Sequence, residues 1–216
     1  MMTSHTSTDI ASRAEAWHSL SMLFVFPKGD DEGIVRPCTD LCYALEALDH
    51  TALPKARELR RLAGETDYQQ LCVEFTRLFI GPFQTAAPPY ASWYLEGSKL
   101  MGESTVQVMN TYIASGVMID RQFRDLPDHI AAECEFIYYL LSNLQRITES
   151  ESPSVVGEIQ SAYDTFVRTH ISTWLPAFCA RIIGQTHLPY FRALASVTEQ
   201  FVMEERNIIM AKEESL

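Results

Sequence analysis

Apolar residues recur along this chain at intervals of three and four, the spacing that places them on one side of an α-helix. A first helix is predicted from Thr8 or Asp9, either of which suits an N-cap, with Ile10, Ala14, Trp17, Leu20 and Phe24 on its buried side. It should stop near Pro27-Lys28-Gly29, a turn signal. A second helix is expected over residues 38–49. A third is expected over 54–63, with Pro54 in its first turn and Gly64 breaking the chain. The next stripe, Tyr68, Leu71, Cys72, Phe75, Leu78 and Phe79, is broad and ends at Gly81-Pro82.

Residues 83–94 hold Pro88-Pro89 and four aromatic residues, Phe83, Tyr90, Trp93 and Tyr94. The double proline rules out regular helix, and the segment is too apolar for a plain surface loop, so it packs down or walls a groove. Helix resumes over 97–115 and is interrupted near Gly116. After Asp125-Leu126-Pro127 comes the most regular stripe: Ile130, Cys134, Ile137, Leu141 and Leu144 form one seam. A polar break at 149–153 precedes a helix over 154–169, and Trp174-Leu-Pro176 opens a short one. Leu188-Pro189 precedes a last helix with Phe191, Leu194, Ala195, Thr198, Phe201 and Val202 buried. No alternating β-branched run and no fixed-period repeat stands out. The fold class is therefore all-α, a single globular helical domain of about 8–10 helices over residues 1–216. Residues 1–8 and 211–216 are expected to be flexible ends, and 116–127 and 149–153 are the candidates for a waist.

With 47% apolar residues in 216, the chain can bury a sizeable core without disulfides or metal. Its five cysteines, at 38, 42, 72, 134 and 179, are odd in number and form no C-x-x-C pair, so they read as reduced thiols of a cytoplasmic protein. Met1 to Asp9 has neither the basic nor the apolar region of a secretory signal, and no apolar run approaches the roughly 18 residues of a membrane span. Cytoplasmic localisation without stable membrane insertion is the expectation.

The net charge of −11 disfavours nucleic-acid binding; it would attract a basic peptide partner or simply serve solubility. The basic cluster Lys55, Arg57, Arg60 and Arg61 is diluted by Glu58 and Glu65, so an acidic helical transcriptional regulator is a minor alternative. Phosphate-binding glycine loops, H-E-x-x-H and G-x-S-x-G are missing, and the six histidines do not cluster. His129 and Glu133, one turn apart, are placed to share a ligand or a hydrogen bond, which is too little for a metal site. No catalytic residue, no metal and no cofactor are assigned.

Two stretches carry a resemblance. One is Glu74-Phe-Thr-Arg-Leu-Phe-Ile-Gly-Pro82 followed by Ala87-Pro-Pro-Tyr-Ala-Ser-Trp-Tyr94; the other is Leu126-Pro-Asp-His-Ile-Ala-Ala-Glu-Cys-Glu-Phe136. In order, separation and overall length they resemble the TorD/DmsD/NarJ family of redox-enzyme maturation chaperones, over about residues 10–210. The resemblance implies a non-enzymatic chaperone that binds the twin-arginine signal peptide, the apoprotein, or both, of a molybdenum-containing oxidoreductase before export. It places Phe75, Leu78, Phe79, Pro88, Pro89, Tyr90, Asp128 and His129 in the peptide-binding groove. It leaves open a monomer or a helix-exchanged dimer, and a weak GTP site without a P-loop, hence a nucleotide switch as a further alternative. Tyr90 stands where DmsD-like members carry Trp, and Leu126 where an acidic residue is common; both changes bear on which client is served.

The residues themselves allow a second reading at each position. Asp128 suits an arginine partner or an N-cap, and His129 suits a titratable hydrogen-bonding group or a satisfied surface histidine. Phe75, Leu78 and Phe79 have the spacing of core residues. Pro88, Pro89 and Tyr90 suit a rigid wall for peptide capture. Glu74 and Arg77 are spaced to pair on a helix surface.

Overall fold

The computed structural model describes residues 7–27, 31–81, 85–117, 125–147 and 153–214. Phe83, the break at 149–152 and positions 118–124 of the other candidate waist lie outside them. Among the described residues the secondary structure is helical, with no strand and one isolated antiparallel bridge.

α1 (Ser7–Leu23) buries the stripe read from the sequence, and Trp17 and Leu20 are fully covered. α2 (Asp31–Ala47) starts seven residues before the expected position and carries Pro37 inside it. Pro37, in the second turn, has no N–H for the Gly33 carbonyl. α3 (Leu53–Glu65) runs through Gly64, which has open space around it and no need of a left-handed backbone. The break instead comes at Thr66, which is extended.

α4 (Tyr68–Phe75) is capped by Asp67, whose side chain accepts the N–H of Gln70 at 2.9 Å. It passes into a π-helical turn, Thr76–Ile80. Leu78 and Phe79 stay on the buried face with Phe75 through this wider turn. The segment after Pro89 is partly helical, contrary to expectation: α5 (Ala91–Leu95) is a short turn of helix.

α6 (Glu103–Ala114) begins six residues later than predicted. The carboxylate of Glu96 accepts the N–H groups of Glu103 and Ser104 at 3.0 and 2.7 Å, so the cap comes from outside the helix. α6 closes at Gly116, whose φ of +75° lets Val117 donate back to the Tyr112 carbonyl. α7 (Ile130–Ile147) buries its whole predicted seam.

α8 (Pro153–Phe166), a second π-helical turn (Val167–Ile171) and α9 (Ser172–Gln185) are contiguous. The short helix expected near Trp174 is therefore the start of a 14-residue one, with Pro176 inside it. Pro176 has no N–H for the Ser172 carbonyl, and the helix changes pitch just before that residue. α10 (Pro189–Glu213) buries the expected residues from Phe191 to Val202. Helix thus extends into both stretches assigned to flexible ends.

α1 packs between α2 and α7, while α10 packs on α3 and α9, and the buried side chains form one contiguous cluster. Its aromatic centre joins Phe24, Phe75, Phe79, Phe178 and Phe191. A buried ion pair ties three helices together: Glu205 of α10 accepts from Arg13 of α1 and from the Tyr163 hydroxyl of α8.

Candidate functional site

The two distinctive stretches of sequence meet. Ile130 donates its N–H to the Pro89 carbonyl at 2.9 Å, and Ala91 donates to the Asp128 carbonyl at 3.0 Å. Tyr90 and His129 face one another across this bridge, ring centroids 5.3 Å apart. The prolines hold the strand-like backbone that the bridge requires and have no N–H of their own to satisfy. Pro88 and Pro89 are themselves buried. They dock the loop onto α7 and present no open wall.

Asp128 is fully buried and caps a helix, but that helix is α5, from a distance: its Oδ2 accepts the N–H of Ser92 at 2.8 Å. α7 is capped by His129, whose Nδ1 accepts the N–H of Ala131 at 3.1 Å and whose carbonyl accepts from Glu133. That hydrogen bond assigns the proton to Nε2, which lies 3.8 Å from Asp125 Oδ2. Burial lowers the His129 pKa, against the pull of Asp125 and Asp128, so the ring is neutral at pH 7. The carboxylate that reaches solvent here is Asp125, with 41% of its side chain exposed. It accepts the Tyr90 hydroxyl at 2.7 Å and its neighbour's N–H at 2.9 Å. Burial and this hydrogen bond both push the Tyr90 phenol above its ordinary pKa.

An apolar groove of about 460 Å³ opens directly beyond this junction, between α1 and α7. It starts at Ala131 and Ala132, two residues past His129, and continues along Phe136 and Tyr139 opposite Met22 and Val25. Tyr112 belongs to both features, since it lines the groove and its hydroxyl donates to the Pro127 carbonyl at 3.0 Å. Glu135 stands on the rim, where its carboxylate accepts from Ser21 Oγ at 2.8 Å and faces His18 Nδ1 at 3.2 Å. A second groove, about 710 Å³, runs along the opposite side of α1 and holds Glu15, Asp40, Phe26 and Tyr138. Met22 and Val25 form the ridge between the two, 48% and 40% exposed. The result is a wide apolar surface bordered by carboxylates.

The residues singled out in the sequence divide accordingly. Tyr90, Asp128 and His129 come together at the junction. Phe75, Leu78 and Phe79 lie in the aromatic core with at most 5% exposure, so a peptide cannot touch them unless the core opens. Glu133 does not share a ligand with His129: its carboxylate sits 2.7 Å from His170 Nε2 and accepts the Trp174 Nε1–H at 3.1 Å. Burial lowers the His170 pKa, and the facing Glu133 carboxylate more than reverses this, leaving it raised. Glu74 pairs with Arg77 as its spacing suggests, though in a buried position rather than on the surface. The same carboxylate accepts from Thr186 Oγ1 and the His187 N–H, fixing the loop before α10.

Asp125, Glu135, Met22 and Val25 were missed by sequence reasoning. One signal pointed to the last two: residues 21–26 contain a single polar residue, more apolar character than a helix buried on one side needs. Asp125 reads as a turn residue and Glu135 as an ordinary polar position on α7.

An all-helical fold thus carries a junction built from capping interactions and, beside it, an apolar groove with a carboxylate on its rim. The chain belongs to the nitrate reductase delta subunit family, whose profile matches residues 44–180. It is similar to the chaperone protein TorD of Vibrio cholerae serotype O1, with 28% identity over 152 residues, 70% of this chain and 68% of the relative. The TorD chaperone of Vibrio parahaemolyticus is 29% identical over 145 residues, 66% of either chain. A solved structure of a candidate redox enzyme maturation protein from Archaeoglobus fulgidus superposes with a TM-score of 0.51 over 91% of this chain and 93% of that one. At 19% identity that likeness concerns the fold.

Proposed function

We propose that this protein is a cytoplasmic chaperone that binds the twin-arginine leader of a molybdenum-containing oxidoreductase, engages its apoprotein, and delays export until maturation is complete. The carrying observation is the apolar groove between α1 and α7, with the exposed Glu135 on its rim and the exposed Asp125 at the neighbouring Tyr90–His129 junction. A twin-arginine leader combines two guanidinium groups with an apolar stretch, and the groove offers complementary chemistry to each part. Asp125 and Glu135 are the carboxylates assigned to the arginines. Met22, Val25, Phe136 and Tyr139 are assigned to the apolar stretch. Asp128, His129 and the double proline act as positioning residues that hold the start of α7 in place. The relatives named as TorD chaperones support the same reading.

Calorimetric titration of the full chain with synthetic leaders from the host's molybdenum oxidoreductases, against Lys-Lys versions, tests the proposal. One leader is expected to bind saturably, and Asp125→Lys or Glu135→Lys to weaken it by about tenfold or more. Silence from every leader, or binding indifferent to both charge reversals, would remove the groove as the site. No cofactor takes part in the proposal, and a GTP titration is expected to show only heat of dilution.

A further inference from the structure

A second groove, on the other helical layer, has the opposite electrostatic character. It lies between α3 and α10, measures about 450 Å³, and has an apolar floor of Pro54, Leu62, Pro189 and Ala193. Two exposed cations, Lys55 and Arg192, flank it. Neither is in direct ion-pair contact among the described residues; Lys55 donates to the Ser196 carbonyl at 3.4 Å, and its charge helps lower the pKa of the more distant Glu204. The acid that also lines the groove, Glu58, is held by Arg61 in a two-pronged contact at 2.7 and 2.8 Å. Elsewhere Arg13, Arg36, Arg57, Arg61 and Arg77 each face a carboxylate. In a chain with 28 acidic and 17 basic residues, two exposed cations on either side of an apolar cleft give it a locally positive border.

We propose that this groove docks an acidic, amphipathic segment of a protein partner. An aliphatic or aromatic side chain of the segment fills the cleft, and carboxylates on either side of it meet Lys55 and Arg192. A basic leader is repelled from this groove, so the two clefts of the molecule accept ligands of opposite charge. Arg192 suits a planar carboxylate, whereas Lys55 offers a mobile point charge. The inference goes beyond the leader-binding reading and is tested separately from it.

The probe is a short synthetic amphipathic helix with Leu and Phe on one face and two Glu beside them, titrated into the full chain by calorimetry. Controls are the same peptide with Lys for Glu and a scrambled version that keeps both Glu. The Glu peptide is expected to bind saturably, and the double variant Lys55→Glu/Arg192→Glu to weaken it by about tenfold or more. Both positions are exposed, so the variant should fold; Lys55→Gln/Arg192→Gln serves if circular dichroism shows otherwise. Equal binding of the scrambled or Lys peptide, or an affinity unchanged in the charge variants, would overturn the proposal. So would sedimentation showing a wild-type dimer that the variant abolishes, since the groove would then be covered by a second copy of this chain.

Discussion

Asp125 and Asp128 stand three residues apart and have opposite duties. Asp128 is sealed inside and bonds the Ser92 amide, whereas Asp125 is partly exposed at the Tyr90–His129 junction. Asp128→Lys places an unpaired cation in the core and removes a cap; we expect a loss of about 3–5 kcal/mol in urea unfolding. Asp128→Asn keeps an acceptor for Ser92 and should cost no more than about 1 kcal/mol. Asp125→Lys should leave stability within about 1 kcal/mol of wild type, so its effect on binding can be read directly. A wild-type stability for Asp128→Lys would show that the side chain is not sealed. Glu74 yields a pH dependence. Burial raises its pKa, but Arg77, the His187 amide and Thr186 more than offset this and hold it at about 2, against 4.5 for a free carboxyl. Because the folded value is the lower one, this stabilisation is present above 4.5 and is lost as the pH falls toward 2. Glu74→Gln should therefore be less stable by about 1–3 kcal/mol at neutral pH, and the gap should close through that acidic window. A gap that stays constant between neutral pH and acid would contradict the assignment.

At the scale of elements, the two π-helical turns explain where the periodicity of the sequence misleads. A strict helical reading carries the stripe from Tyr68 to Phe79 without a change of pitch, yet the chain widens at Thr76. Leu78 and Phe79 still end up buried, so the stripe looked continuous either way. Gly81 closes that turn with φ 53° and ψ 148°, its N–H donating to the Thr76 carbonyl at 2.7 Å. Side chains avoid this conformation, so Gly81→Ala should cost about 1–3 kcal/mol by thermal or urea unfolding, and an unaltered melting curve would count against it. Buried stripes were legible because covering an apolar face is a periodic demand; every residue read as buried on α1, α7 and α10 is buried, though each helix buries others as well. Starts were less so: α6 is capped by Glu96 from seven residues upstream, and α5 by Asp128 from 36 residues downstream. Local patterns do not encode such distant caps. The same limit applies to the site. The sequence identified the two stretches that meet, but Asp125 acquires a role only beside Tyr90, and Glu135 only when α7 is laid against α1.

For the whole molecule, the surplus of acid matters more than any one pair. A net charge of −11 attracts basic peptides over several ångströms and would accelerate the encounter with a leader of the proposed kind. Association rates measured by stopped flow should therefore fall steeply as ionic strength rises from about 0.05 to 0.5 M, with dissociation changing much less. Rates insensitive to salt would mean that apolar contact alone guides binding.

The placement of α1 has a consequence for how the protein is made. Trp17 packs edge-on against Phe201 of α10, ring centroids 5.1 Å apart, and Arg13 closes onto Glu205. On the ribosome, at about 5–20 residues per second, α1 emerges many seconds before α7 and longer still before α10. Its apolar face has no permanent cover in that interval. A member of a chaperone family thus begins its own life as a nascent chain with an uncovered face, and only its final helix completes the enclosure.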